Sequence, residues 1–114
     1  MGEPENVNDT YLSLEAGKIL PVTKTNTIAD GLKTTVGKLN FEIIQKYVKE
    51  VIPVSEQEIS YAMRMIWERM KIIIEPSCAV PFAALLRKKA FFKDKKVGII
   101  LTGGNVDMGN LPFE

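Results

Sequence analysis

Histidine is absent from this chain of 114 residues. No histidine triad, imidazole proton shuttle or histidine metal site can be built from it. Cysteine occurs once, as Cys78, so no internal disulfide can form. That fits a reducing compartment, and the expected localisation is cytoplasmic. Long apolar runs are missing too; none nears the roughly 20 residues that span a bilayer. Neither sign of charge is in excess: 15 Lys and Arg stand against 14 Asp and Glu. This balance leaves no electrostatic footprint for nucleic acid or for an anionic membrane surface. Met1 is followed by acids and Asn, not by a basic and then an apolar stretch, so no signal peptide is expected.

What remains is ordinary globular composition, 46% hydrophobic and 25% charged, enough for one small core. The most informative stretch runs Val97-Gly98-Ile99-Ile100-Leu101-Thr102-Gly103-Gly104-Asn105. Its short apolar run reads as a parallel strand buried on both faces. Gly103 and Gly104 would turn the backbone and bring it close to a flat or charged group. Thr102 would end the strand, where ligands of open α/β sheets bind; a β-branched residue merely closing a strand is the plainer reading.

Local signals mark out the rest. Residues 10 to 16 read as a short helix capped by Asn8 or Asp9 and ended by Gly17. Asn40 should cap a helix of about ten residues, with Phe41, Ile44, Val48 and Val51 on one face and a Glu42–Lys46 pair on the other. Ile52-Pro53-Val54 reads as a short strand whose Pro marks an edge position or a strand start. Ser55 and Glu58 form a capping box for a helix whose stripe is Ile59, Ala62, Met63, Ile66, Met70 and Ile73. Arg64 and Glu68 should pair on its wet face. Ser77 should cap a helix over 78 to 89, which Pro81 makes start late or bend.

Some residues carry chemistry on either of two readings. Glu3, Glu5, Asn6, Asn8 and Asp9 gather oxygen donors suited to a hard cation, or form a solvated acidic terminus. Glu75 follows three isoleucines and is either a partly desolvated carboxylate or a helix-terminal acid in water. Lys71 is by default a solvated lysine. Thr27-Ile28-Ala29-Asp30-Gly31 reads as a loop turning at Asp-Gly.

Leu101-Thr102-Gly103-Gly104-Asn105-Val106-Asp107 resembles the C-terminal cofactor loop of pyridoxal-phosphate enzymes of the tryptophan-synthase-β fold. The nearest branch is that of serine racemases and threonine/serine dehydratases. Gly2-Glu3-Pro4, Thr27-Ile28-Ala29-Asp30-Gly31, and Trp67-Glu68-Arg69-Met70 leading to Ile74-Glu75-Pro76 agree with that branch, in the same order. The resemblance implies an α/β fold, part of a three-layer open sheet of mainly parallel strands with flanking helices. Residues 1–114 would be one unit, the C-terminal portion of the larger cofactor-binding domain.

It also implies roles. Thr102, Gly103, Gly104, Asn105 and Gly31 would hold pyridoxal 5'-phosphate, with Asp30 beside them. Glu75 would lie near the ring oxygen and tune proton transfer. Glu3, the carbonyl of Val7 and Asp9 would bind a divalent cation, Mg²⁺ or Ca²⁺. Lys71 would help hold ATP as an effector at a subunit interface, in a homodimer. The substrate would be a small hydroxy-amino acid, serine- or threonine-like, which is dehydrated with release of ammonia or racemised. No lysine lies in the branch's Ser-x-Lys-x-Arg-Gly-like stretch, and its phosphate-binding glycine tetrad is missing. The segment alone is therefore expected to be inactive. The rival reading is a non-catalytic α/β binding or interaction module that kept this fold. A cysteine-synthase-like transferase is disfavoured by the Thr-Gly-Gly-Asn loop.

Overall fold

A computed structural model describes residues 1–113. In chain order its elements are β1 (Gly2–Pro4), α1 (Asp9–Ala16), a 3-10 turn (Asp30–Leu32), α2 (Lys38–Tyr47), β2 (Ile52–Val54), α3 (Glu56–Met70), α4 (Pro76–Arg87) and α5 (Lys89–Phe92).

α3 starts where its capping box lies. The Ser55 hydroxyl accepts the Glu58 amide at 3.3 Å, and the Glu58 carboxylate accepts the Ser55 amide at 2.8 Å. Two donors that the first turn would leave bare are satisfied at once. Along α3, Ile59, Ala62 and Met63 lose all their exposed surface. They pack on α4, whose small residues Ala79, Ala83 and Ala84 let the two helices approach closely. α4 also lies across both strands. β1 and β2 pair in parallel, Gly2 opposite Ile52 and Pro4 opposite Val54. A parallel pair with helices packed on it is the expected α/β arrangement in incomplete form. Pro53 cannot donate to a ladder, and its carbonyl is taken by Arg87 Nη1 at 2.8 Å.

Several local expectations shift. The apolar stripe of α3 holds as far as Ile66, but Met70 and Ile73 are 56% and 54% exposed. The cause is Lys71, whose φ of 59° is left-handed and ends the helix before the stripe can continue. α2 has the expected ten residues but begins at Lys38, with Gly37 rather than Asn40 at its cap. Lys46 stands over the Tyr47 ring at 5.1 Å rather than against Glu42. α4 begins at Pro76, with Glu75 and not Ser77 at the cap position. Proline suits that first helical place, where a missing N–H costs nothing and φ is already set. The helix does not start late; it runs through Pro81.

The largest correction concerns residues 97 to 101. They form no strand, Val97 is 43% exposed and Ile100 81% exposed. A parallel strand exists only through the ladder its neighbours supply. Here β1 and β2 pair with each other, and among the described residues no strand runs beside this segment. Val97 and Ile100 are thus left in solvent, Ile99 is half-buried, and Leu101 packs on the core.

Candidate functional site

α1 is left without the cap expected for it: Asn8 holds the cap position, but its side chain makes no capping bond. An acid on β1 does that work. Glu3 Oε1 accepts the Thr10 amide at 3.1 Å, and Glu3 Oε2 accepts the Tyr11 amide at 2.9 Å. These are donors of the first turn, where a carboxylate is favoured. Glu3 is only 7% exposed. Burial pushes its carboxyl above the ordinary value; the bonds from Thr10 and Tyr11 oppose that, and the charge of Asp9 adds to it. Asp9 is buried as well, and its Oδ2 accepts the Val36 amide at 2.8 Å.

These two carboxylates border a cleft of about 370 Å³ that is also walled by Gly31, Ser77 and Thr102. Val7 is buried and lines, with Asp9, the depression next to it. Among the described residues no three or more acids and thiols gather as a metal site. The donor set expected from the sequence is smaller, two carboxylates and a backbone carbonyl, all hard oxygens of the kind Mg²⁺ and Ca²⁺ take.

The first turn of α4 ties the far wall together. The Gly31 amide donates to Ser77 Oγ at 3.0 Å, and a Cβ on Gly31 would stand 3.1 Å from that oxygen. The Thr102 amide donates to Cys78 Sγ at 3.1 Å. Adjacent residues of one helix thus hold the 3-10 turn and the glycine loop at the same cleft. Thr102 is exposed at its wall, not packed inside.

The glycines after Thr102 lie on the segment that precedes α4. The Glu75 amide donates to the Gly103 carbonyl at 3.2 Å. A Cβ on Gly103 would run into Glu75 Oε1, and one on Gly104 would stand 2.8 Å from the Ile73 carbonyl. At Gly104 only a residue without a side chain lets two backbones come this close, whereas at Gly103 the neighbour is the movable end of the Glu75 side chain. Glu75 and Asn105 line a second cleft of about 290 Å³ with Asp30 and Asp107, and Ser77 belongs to both clefts. Lys71 lies apart from both, exposed at the end of α3. A gap the size of the cleft walled by Gly31 and Thr102 has room for a flat heteroaromatic ring.

Ser77 and Cys78 are not legible as site residues from the sequence. Ser77 follows Glu-Pro and reads as a helix cap, and Cys78 raises only the question of disulfides. Their partners, Gly31 and Thr102, are remote in sequence, so no local pattern betrays them.

The family model described as pyridoxal-phosphate-dependent enzyme matches residues 2–103, and the chain belongs to that family. It is 56% identical over 115 residues to the serine racemase of Dictyostelium discoideum, covering 96% of this chain and 35% of that protein. It is 41% identical over 111 residues to the beta-hydroxyaspartate dehydratase of Paracoccus denitrificans, covering 97% of this chain and 35% of that one. The fold matches the structure of maize serine racemase with a TM-score of 0.88 at 41% identity, over 95% of this chain and 34% of the other. The chain spans about a third of the length of the curated relatives it matches.

Proposed function

We propose that this chain is the C-terminal portion of the cofactor-binding domain of a pyridoxal-phosphate-dependent lyase or racemase that acts on small hydroxy-amino acids. The observation that carries the reading is the meeting of Gly31, Ser77 and Thr102 on one cleft, with Gly103 laid against Glu75 beside it. Relatives named for serine racemisation and hydroxyaspartate dehydration support it.

In this reading Thr102, Gly103, Gly104, Asn105 and Gly31 hold the cofactor ring. When bound, the cofactor supplies an electron sink for a carbanion at the amino-acid Cα. Thr102 presents a neutral hydroxyl to the pyridine nitrogen, where a carboxylate would keep that nitrogen protonated. The sink is then weaker, which suits elimination of a β-hydroxyl or return of the proton to the other face. Glu75 lies near the ring oxygen and tunes proton transfer there, its backbone held by the bond from its own amide to Gly103. The lysine that forms the imine and the glycine tetrad for the phosphate belong to a segment outside this sequence, so the chain alone is inactive.

Glu3, the Val7 carbonyl and Asp9 take a divalent cation, Mg²⁺ or Ca²⁺, which offsets two buried negative charges lying close together. Lys71, exposed on a left-handed helix end, meets the phosphates of ATP as effector. The whole enzyme is a cytoplasmic homodimer that binds neither nucleic acid nor membrane; among the described residues no helix is long and apolar enough to cross one.

The test is a substrate screen on the full-length enzyme from which the segment derives, with Mg²⁺, Ca²⁺ and ATP varied. L-serine, L-threonine and 3-hydroxyaspartate are offered, and keto acid, ammonia and the D-isomer are measured. Turnover of at least one, stimulated by the cation, is expected. A parent without the lysine motif, or one inert toward all hydroxy-amino acids, would leave the non-catalytic module as the better account.

A further inference from the structure

Residues 95 to 107 contain no helix or strand. The shape of the glycine loop must therefore come from what it lies on. Its bed is the Ile73-Ile74-Glu75 segment, through the Glu75 amide on Gly103 and the close approach of Gly104 to the Ile73 carbonyl. That bed is itself irregular, a connection between α3 and α4 tied into regular structure only where the Glu75 carbonyl accepts the Cys78 amide.

We propose that Trp67 is the positioning residue that holds both the bed and the chain leaving the loop. Its indole Nε1–H donates to the Ile74 carbonyl at 3.0 Å, which fixes the peptide whose Glu75 amide holds Gly103, one unit along from the Ile73 carbonyl beside Gly104. Its ring meets the Phe113 ring edge to face, with centroids 5.4 Å apart and planes at 79°. Nearer the start of α3, Ser60 Oγ donates to the Pro112 carbonyl at 2.7 Å. α3 thus grips the loop from below and from its far end, and one side chain supplies a handle to each. A rotation of the peptide that joins Ile74 to Glu75 would turn the Glu75 amide away from the Gly103 carbonyl and free the loop that carries Thr102. The functional meaning of this rests on the cofactor-loop reading above, while the geometry of the two handles does not.

Amide hydrogen exchange, followed by NMR on the full 114-residue chain, tests it. Trp67 is the sole tryptophan, so its indole N–H gives one unambiguous signal. In the unaltered chain that signal should be protected; exchange at the rate of free indole would overturn the proposal outright. Trp67→Phe keeps a ring for Phe113 and removes the N–H. The amides of Glu75 and Thr102 should then exchange about tenfold faster, as expected for loss of one hydrogen bond. The Ile52 amide, bonded to the Met1 carbonyl across the sheet, should stay unchanged. Equal acceleration at Ile52 would show a merely structural role, and unchanged Glu75 and Thr102 would show none; either result defeats the proposal. If Trp67→Phe does not fold, the protection of the indole signal in the unaltered chain decides. Failure here leaves the cofactor assignment standing, since that is read by turnover of the full-length enzyme.

Discussion

Residues 54 to 87 and residues 93 to 113 obey different rules. In the first region β2, α3 and α4 bury Val54, Ile59, Met63 and Ala79 against one another, with essentially no exposed surface left on any of them. In the second, no residue lies in a helix or strand, and contact with the core runs through Leu101, Val106 and Phe113. Its other supports are single contacts reaching in from α3 and α4 and the residue before α4: bonds at Ser60, Cys78 and Glu75, and the Trp67 ring against Phe113. The first region makes its own structure, whereas the second borrows it. That division suits a cofactor loop, which must offer backbone groups and a hydroxyl at an open wall and cannot also bury itself.

The strongest blow to this contrast would fall at Met63, which is fully buried between α3 and α4. Met63→Ala should cost about 2–5 kcal/mol, the usual range for emptying such a site. On a small domain that is a large share of the total stability, and urea titration should show most of the cooperative transition lost. A loss below ~1 kcal/mol would mean that the first region is no better packed than the second.

Gly104→Ala strikes the borrowed region where it touches its support. The added methyl meets a backbone carbonyl, that of Ile73, and backbone cannot swing aside as a flexible side chain can. The loop must lift, at a cost of about 1–3 kcal/mol for overpacking. Thermal melting should show a smaller change than for Met63→Ala. NMR should show the Glu75 amide losing its bond to Gly103 while the α3 capping box at Ser55 is untouched. Displaced signals at Ser55 would mean that the two regions are one cooperative body.

The same division governs what can be read from the residues alone. The capping box of Ser55 and Glu58, the stripe from Ile59 to Ile66, the stop at Gly17 and the strand at Ile52-Pro53-Val54 are all legible. Each depends on neighbours within a turn or on a simple alternation. The Glu3 carboxylate capping α1 is not, since it reaches seven residues along the chain from a different element. Nor is the Gly31 to Ser77 bond, which spans 46 residues, or the Thr102 to Cys78 bond, which spans 24. The glycine loop can be recognised by its residues, but what supports it cannot. Lys71 shows the converse failure: nothing in a lysine announces a left-handed backbone, so the stripe reads as running on to Met70 and Ile73.

Ile100 gives the smallest expected effect and the sharpest use of the comparison. An apolar run from Val97 to Leu101 argues for a buried strand, and in such a strand Ile100→Ser would cost about 2–5 kcal/mol. With Ile100 81% exposed, the substitution should change the stability read by urea titration by no more than about 0.5 kcal/mol. In the full-length enzyme, where further strands can supply a ladder, the same substitution should become costly. The difference between the two measurements gives the burial that Ile100 gains from those neighbours. Equal and small effects in both would mean that this apolar run is never a strand at all. A large effect in the 114-residue chain would move residues 97 to 101 into the region that makes its own structure.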